Sequence, residues 1–156
     1  MLKTKITIVI LSLLFLPAVV FADNWDSMVW DEDCWSILEI KANGQTGNVT
    51  ISHLDNLLVT VQLNPDTFVG TKVDWWVIVC ANGSWFYMDS VAGWTQGGAW
   101  RPILQGPLFN LPPTEVLNIN GLATGLYTFY FVVDCPMNGI LNEEQILADS
   151  VTVNVR

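Results

Sequence analysis

Apolar and polar residues alternate with a period of two along much of the chain after residue 36. The alternation is clearest in segments 48–52, 59–63 and 150–155, each of which therefore has one apolar face and one polar face as an extended strand. The run 74–80 is continuously apolar after Asp74, as is typical of a central strand covered on both sides. These segments predict β-strands.

Turn residues divide the rest of the chain. The sequence Ala81-Asn82-Gly83-Ser84 is a turn signal between 74–80 and the extended segment 85–88, so residues 74–88 are predicted to form a hairpin. Extended patterns return over 115–122 and 125–133, whereas the Gly- and Pro-rich residues 93–114 are predicted to be irregular. The chain is therefore predicted to be all-β, an immunoglobulin-like antiparallel β-sandwich of about seven or eight strands.

Three aromatic residues fit specific positions of such a sandwich. Tyr127 follows a Gly-containing turn and opens a strand, as a tyrosine corner does. Trp76 is predicted to be the core tryptophan of the third strand. Phe129 stands where an antibody domain has its second disulfide cysteine, so the two sheets are expected to be held by packing without a bridge.

The N-terminus has the layout of a signal peptide. Lys3 and Lys5 precede an apolar run over residues 6–16, and the sequence Val20-Phe21-Ala22 offers a cleavage site. A membrane anchor is the alternative, but the run is short for a bilayer span and acidic residues follow it. We therefore expect a signal peptide over 1–22, an acidic Trp-rich segment over 23–36 and a domain over 37–156, in a secreted or extracytoplasmic protein.

Charge narrows the choice of partner. Cleavage after Ala22 removes two of the six basic residues and leaves four against 15 acidic ones, a net charge of −11. Such a surface repels phosphate backbones and anionic lipids, so nucleic-acid and membrane binding are not expected after removal of the signal peptide. Cations and neutral ligands fit the composition better.

The chain also resembles a known type of module. The matching segments run in order over residues 37–156: Asp74-Trp75-Trp76-Val77, the neighbourhood of Trp94, Gln105-Gly106-Pro107-Leu108, Glu115-Val116-Leu117-Asn118, Gly125-Leu126-Tyr127-Thr128-Phe129-Tyr130-Phe131, and Val133-Asp134 through Asn138-Gly139. They are similar to an uncharacterised immunoglobulin-like module of exported bacterial proteins. The resemblance implies an extracytoplasmic sandwich and brings no activity with it. Residues 23–36 fall outside the match.

The segment that begins at Asp134 has features of a calcium loop. Asp134, Asn138 and Asn142 supply oxygen ligands at positions 1, 5 and 9, and Gly139 occupies position 6. Pro136 and Gln145 replace the carboxylates expected at positions 3 and 12, so any calcium site would be weak, and no other cofactor is indicated. The competing interpretation is a hairpin in which Asn138-Gly139 supplies the turn.

Aromatic residues cluster in and beside the irregular stretch. Trp85, Tyr87, Trp94 and Trp100 are candidates for a platform that binds a glycan or another ligand. The competing interpretation places these rings in the core. Trp94 and Trp100 are the two most expected to be exposed, because they lie among glycines.

The cysteines and the N-terminal tryptophans suggest further contacts. Three cysteines in an oxidising compartment predict one disulfide, for which Cys34 and Cys135 are the favoured pair and Cys80 a buried thiol. An intermolecular bridge is the alternative. Trp25, Trp30 and Trp35 lie among five acidic residues, and we expect this segment to dock on its own domain or on a partner.

Catalytic residues are scarce. His53 is the only histidine, and no nucleophile motif or metal motif rich in histidine is present. The sequence therefore favours a secreted, non-enzymatic structural or adhesive module that binds protein partners or assembles with itself. A ligand-binding module that uses loop aromatics on glycans is the second hypothesis, and a small secreted hydrolase is the third.

Overall fold

The structure is a computed structural model, and it describes residues 37–142 and 146–156. Ten strands account for most of these residues, with one 3-10 turn at Asp66–Phe68. The strands are β1 (Ile37–Ala42), β2 (Gly47–Ile51), β3 (Asn56–Asn64), β4 (Lys72–Ala81), β5 (Ser84–Asp89), β6 (Gly93–Gln96), β7 (Leu104–Pro107), β8 (Leu111–Asn120), β9 (Gly125–Asp134) and β10 (Ile146–Val155).

The strands form two sheets that pack face to face. The small sheet has the order β1-β3-β8, and the large sheet has the order β2-β10-β9-β4-β5-β6, with β7 paired to the first residues of β4. In immunoglobulin terms, β3 and β8 correspond to strands B and E, and β4, β9 and β10 correspond to C, F and G. The predicted all-β, immunoglobulin-like sandwich is confirmed. One pairing departs from the antiparallel prediction, because β2 runs parallel to β10.

The alternation of side chains builds the core between the sheets. Val49, Ile51, Val59, Val61, Val151 and Val153 are all buried there, as their period-two pattern predicts. The central strand β4 contributes Trp75 to this core, where its ring lies 6.2 Å from that of Phe131. The prediction that Trp76 fills this position was wrong. Successive side chains of a strand point to opposite faces, so Trp76 lies on the outer face of the large sheet.

The predicted tyrosine corner is present. Tyr127 is buried near the start of β9, and its hydroxyl donates a hydrogen bond to the carbonyl oxygen of Ala123 at 2.9 Å. Phe129, two residues further along, is buried in the core between the sheets, at the position that the sequence indicated. Among the described residues no disulfide joins the sheets, because Cys80 and Cys135, the two described cysteines, are not bonded to each other.

The predicted hairpin over 74–88 is also confirmed. Strands β4 and β5 pair as far as Ala81 and Ser84, and Asn82 and Gly83 between them have φ angles of 49° and 82°. Two successive positive φ angles are typical of the type I′ turn that Asn-Gly favours.

Residues 93–114 are more regular than predicted. They contain β6, β7 and the start of β8, and together with β1, which the pattern also did not predict, β6 and β7 raise the strand count to ten. The Gly and Pro residues that hid these strands are tolerated here for two reasons. Strands β6 and β7 have only four residues each, and β8 is an edge strand of the small sheet, where Pro112 and Pro113 are compatible with pairing.

Removing the Tyr127 hydroxyl should destabilise the sandwich. Tyr127→Phe keeps the ring but loses the bond to Ala123, and we expect a loss of about 1 kcal/mol in the free energy of unfolding, measured by chemical denaturation. Tyr130→Phe is the matched control, because no described residue hydrogen-bonds the Tyr130 hydroxyl. Equal effects of the two substitutions would contradict a special role for the corner.

Candidate functional site

Two buried carboxylates lie side by side at one edge of the large sheet. Asp74 on β4 and Asp134 on β9 are direct partners in the antiparallel register, and their exposed fractions are 0% and 1%. Buried acids normally require a cation or several hydrogen bonds to offset their lost hydration. The single ion pair within the described residues, Lys41 with Glu39, lies elsewhere on the small sheet.

Hydrogen bonds from neighbouring segments hold the Asp74 carboxylate. One oxygen accepts a bond from the side-chain amide of Gln105 on β7 at 2.8 Å. The other accepts bonds from the backbone N–H groups of Asn138 at 2.8 Å and Gly139 at 2.6 Å. Asp74 therefore joins β7 and the β9–β10 loop to the central strand.

Asp134 fixes the same loop from the neighbouring strand. Its Oδ1 accepts a bond from the indole N–H of Trp76 at 2.5 Å, and its Oδ2 accepts bonds from the backbone N–H and the side-chain amide of Asn142 at 2.9 and 3.0 Å. Burial raises the pKa of Asp134, and the charge of Asp74 raises it further, against the opposing effect of these hydrogen bonds. The two carboxylates together hold the β9–β10 loop in place, and we call them the carboxylate centre.

The three predicted calcium ligands come together in this loop. Asn138 Oδ1 accepts bonds from the Ile140 N–H at 2.8 Å and from the Asn142 side-chain amide at 3.2 Å. The oxygens of Asp134 and Asn138 are thus already engaged by N–H donors of the loop. Within the described residues, no group of three or more His, Cys, Asp or Glu side chains is arranged to hold a metal. Calcium binding stays a prediction.

Sequence reasoning missed Asp74 as the second member of this centre. Asp74 could have been recognised because it is an acid immediately before the apolar run of a central strand. Asp134 is likewise an acid at the end of the apolar strand 125–133. The competing hairpin interpretation is right in one respect, since Gly139 has a φ of 77°. The connection is nevertheless longer than a tight turn, because β9 ends at Asp134 and β10 begins at Ile146.

The four predicted platform aromatics do not form one surface. Trp94 packs into the core between the sheets, where its ring makes an edge contact with Phe129 at 6.2 Å. Tyr87 is 8% exposed and belongs to the floor of the outer face. The expectation of exposure at Trp94 was wrong, because Trp94 lies on a strand of the large sheet on the side that faces the core.

Trp85 and Trp100 are half-buried and lie together on the outer face of the large sheet. Their ring centroids are 5.4 Å apart, and Trp85 also lies 5.9 Å from Tyr130. Beneath and beside these three rings is a second apolar cluster of Trp76, Ile78, Tyr87 and Val132, with Leu141, Ile146 and Ala148 at its margin. We call this set of residues the aromatic face.

The aromatic face differs from the outer face of the small sheet. The outer face of the small sheet carries Glu39, Lys41, Thr60, Gln62 and Glu115. Glu39 forms an ion pair with Lys41 and accepts a hydrogen bond from the side-chain amide of Gln62. Outward side chains of a sandwich are ordinarily polar, as they are there. Over β4, β5 and the adjoining ends of β9 and β10 in the large sheet they are aromatic and aliphatic, whereas Thr128 and Thr152 further along are polar. Burial raises the pKa of the Tyr130 hydroxyl, so this tyrosine stays neutral.

Of the predicted cysteine pair, the structure describes Cys135. The pKa of the Cys135 thiol is raised by burial and by the charges of Asp134 and Asp74, so it is a poor nucleophile. Cys34 lies outside the described residues, as do Trp25, Trp30 and Trp35. The Cys34–Cys135 pairing and the docking of the N-terminal segment therefore stay predictions.

Comparison with known proteins gives one distant structural likeness. No family model and no curated protein matches the chain. A crystal structure of the CARDB domain of a Pyrococcus furiosus protein, in complex with di-metal ions, is similar at 18% sequence identity and a TM-score of 0.32. The match covers 76% of this chain and 90% of that domain. Within the described residues, no helix is long and apolar enough to cross a membrane.

Loss of the Asp74 carboxylate should destabilise the domain. Asp74→Ala leaves Gln105, Asn138 and Gly139 without their acceptor, and we expect a loss of about 2–4 kcal/mol in the free energy of unfolding. The control is Glu115→Ala, because Glu115 is an exposed acid that accepts one side-chain bond. Chemical denaturation compares the two. A small effect of Asp74→Ala would show that the loop does not depend on this carboxylate.

Calcium should stabilise the protein only at millimolar concentration. Two expected carboxylates are replaced, and the remaining oxygens already accept hydrogen bonds, so affinity is low and mass action requires a high concentration. Thermal melting with and without calcium measures this. Asp134→Asn should remove the shift, and a large shift at micromolar calcium would contradict the weak-site prediction.

Proposed function

We propose that this chain is an exported, non-enzymatic structural module that associates with protein surfaces, in the first place with copies of itself, through its aromatic face. The observation that carries the proposal is the cluster of the half-buried rings of Trp85, Trp100 and Tyr130 above a buried apolar floor, on a side of the sheet where a solitary sandwich has polar residues. Tryptophan and tyrosine are also the residues most enriched at energetically important positions of interfaces.

The shape of the aromatic face favours a protein partner. The rings of Trp85 and Trp100 are tilted by 52°, and those of Trp85 and Tyr130 by 33°, so the face is ridged. A ridged apolar surface suits the interlocking side chains of another protein.

The non-enzymatic character is supported by the chemistry of the described residues. The buried Asp74 and Asp134 are engaged by hydrogen bonds from the loop, and the Cys135 thiol has a raised pKa. His53 is exposed, and its Nδ1 lies 3.4 Å from the carbonyl oxygen of Arg156. No nucleophile is thus paired with a base among these groups, which is what nucleophilic catalysis requires.

Glycan binding is the second candidate, because Trp85 and Trp100 each keep part of their ring accessible. In this case the aromatic face would bind a polysaccharide in place of a protein. Insoluble polysaccharides and purified peptidoglycan are suitable probes in co-sedimentation assays.

Sedimentation velocity of the mature protein, from micromolar to millimolar concentration, tests the proposal. We expect association that the double variant Trp85→Ala/Trp100→Ala abolishes. Each copy carries a net charge of −11 after cleavage, so added salt should strengthen association by screening repulsion. The control variant is Leu54→Ser, which removes an exposed apolar side chain in the connection after β2, at the opposite edge of the large sheet from β5.

The outcomes separate the candidates. Association that is lost in the tryptophan variant and kept in the control supports a structural module. A monomer that co-sediments with a polysaccharide through the two tryptophans assigns the face to glycans and overturns the proposal. A monomer that binds none of the probes, or association that both variants keep, also overturns it. Thermal melting confirms that each variant remains folded.

A further inference from the structure

Several connecting segments meet at one end of the sandwich. There β1 begins at Ile37, opposite Asn64 at the end of β3, and the β9–β10 loop lies against Asp74 near the start of β4. Backbone bonds from Gly70 N–H to the Leu108 oxygen and from Leu108 N–H to the Thr71 oxygen, both 2.8 Å, attach the β3–β4 connection to the segment after β7. We call residues 65–71, 104–110 and 135–142 the loop end.

Large apolar side chains are exposed on all three segments of the loop end. Their exposed fractions are 63% for Val69, 43% for Leu104, 39% for Phe109, 37% for Met137 and 66% for Ile140. One exposed apolar residue needs no explanation, whereas five on segments that meet at one end mark a surface that is covered in use. In variable immunoglobulin domains the B–C and F–G loops, which correspond to 65–71 and 135–145 here, also supply binding residues.

We propose that the chain's own residues 23–36 cover the loop end. These residues lie outside the described part of the chain and enter it at Ile37, which is at this end. Fourteen residues reach up to about 45 Å when extended, several times the separation of about 10 Å between packed sheets. The segment contains Trp25, Trp30 and Trp35, which gain free energy from burial against apolar side chains.

Tethering favours this occupant, and an exposed lysine offsets part of the repulsion between the acidic segment and the acidic domain. The segment carries five acidic residues, and Lys72 at the start of β4 is exposed at the loop end and forms no ion pair with any described residue. A short tether also gives the segment an effective concentration in the millimolar range, so weak contacts are sufficient for docking. The aromatic face meets the loop end at Leu141, but none of the five exposed side chains belongs to the aromatic face, so this inference can be tested separately from the proposed function.

Limited proteolysis of the mature protein tests the proposal. Glutamyl endopeptidase cuts after Glu32, the only glutamate in the segment, and mass spectrometry follows the fragment that ends there. A docked segment is cut slowly, because cleavage requires it to leave the surface. We expect Met137→Ser/Ile140→Ser to raise the initial rate of cleavage at Glu32 roughly tenfold.

A matched control separates docking from general loosening of the domain. Leu54→Ser/Leu126→Ser removes two side chains that are 77% and 54% exposed at the opposite end, and it should leave the rate at Glu32 unchanged. Near-ultraviolet circular dichroism verifies that both double variants are folded.

The rate of cleavage at Glu32 distinguishes a docked segment from a free one. Slow cleavage in the native protein and the control, with faster cleavage in the loop-end variant at every protein concentration, supports docking within one chain. Equally fast cleavage in all three proteins shows that the segment is free and overturns the proposal. Protection that appears only at high protein concentration shows docking on a second copy, which also overturns it. Comparing the rates across protein concentrations separates docking within one chain from any effect of association through the aromatic face.

Discussion

The arrangement of this domain depends on one strand that is apolar on both faces. Strand β4 places Trp75, Val77 and Val79 in the core between the sheets, and Trp76 and Ile78 on the opposite side. The small sheet covers the first set. The second set has no sheet above it and is shielded by aromatic side chains from β5, β9 and the segment around Trp100. A strand with apolar side chains on both faces thus creates a second apolar layer outside the sandwich core. The aromatic face is the outer surface of that layer.

The buried carboxylates mark where this apolar layer ends. Asp74 precedes the apolar part of β4 and Asp134 follows that of β9, so they form a polar border across two strands. Their hydrogen bonds to the Asn138, Gly139 and Asn142 backbone stabilise a long connection that contains few apolar anchors. The border therefore gives the loop end a defined shape and leaves its apolar side chains available for contact.

Much of the fold could be predicted from the sequence, because strand alternation and turn chemistry are local. The positions of Tyr127, Phe129 and the Asn82-Gly83 turn followed from short-range patterns alone. A continuous apolar run has no alternation, however, so the sequence does not show whether Trp75 or Trp76 faces the core between the sheets. Trp94 was misplaced because neighbouring glycines suggested a loop. The partnership of Asp74 with Asp134 depends on the register of strands 60 residues apart, which composition and spacing do not reveal.

The parallel pairing of β2 with β10 has a mechanical consequence. Gly47 at the start of β2 lies opposite Val151, and Ile51 lies opposite Val155 near the chain's last residue. The bonds from His53 N–H to the Arg156 oxygen and from Arg156 N–H to the Ile51 oxygen extend this ladder. A tension that pulls β1 and the C-terminus in opposite directions acts along both strands, so it loads all of these hydrogen bonds in shear at once. In this geometry several bonds must break together before the strands separate, whereas a pair pulled from one end opens one bond at a time.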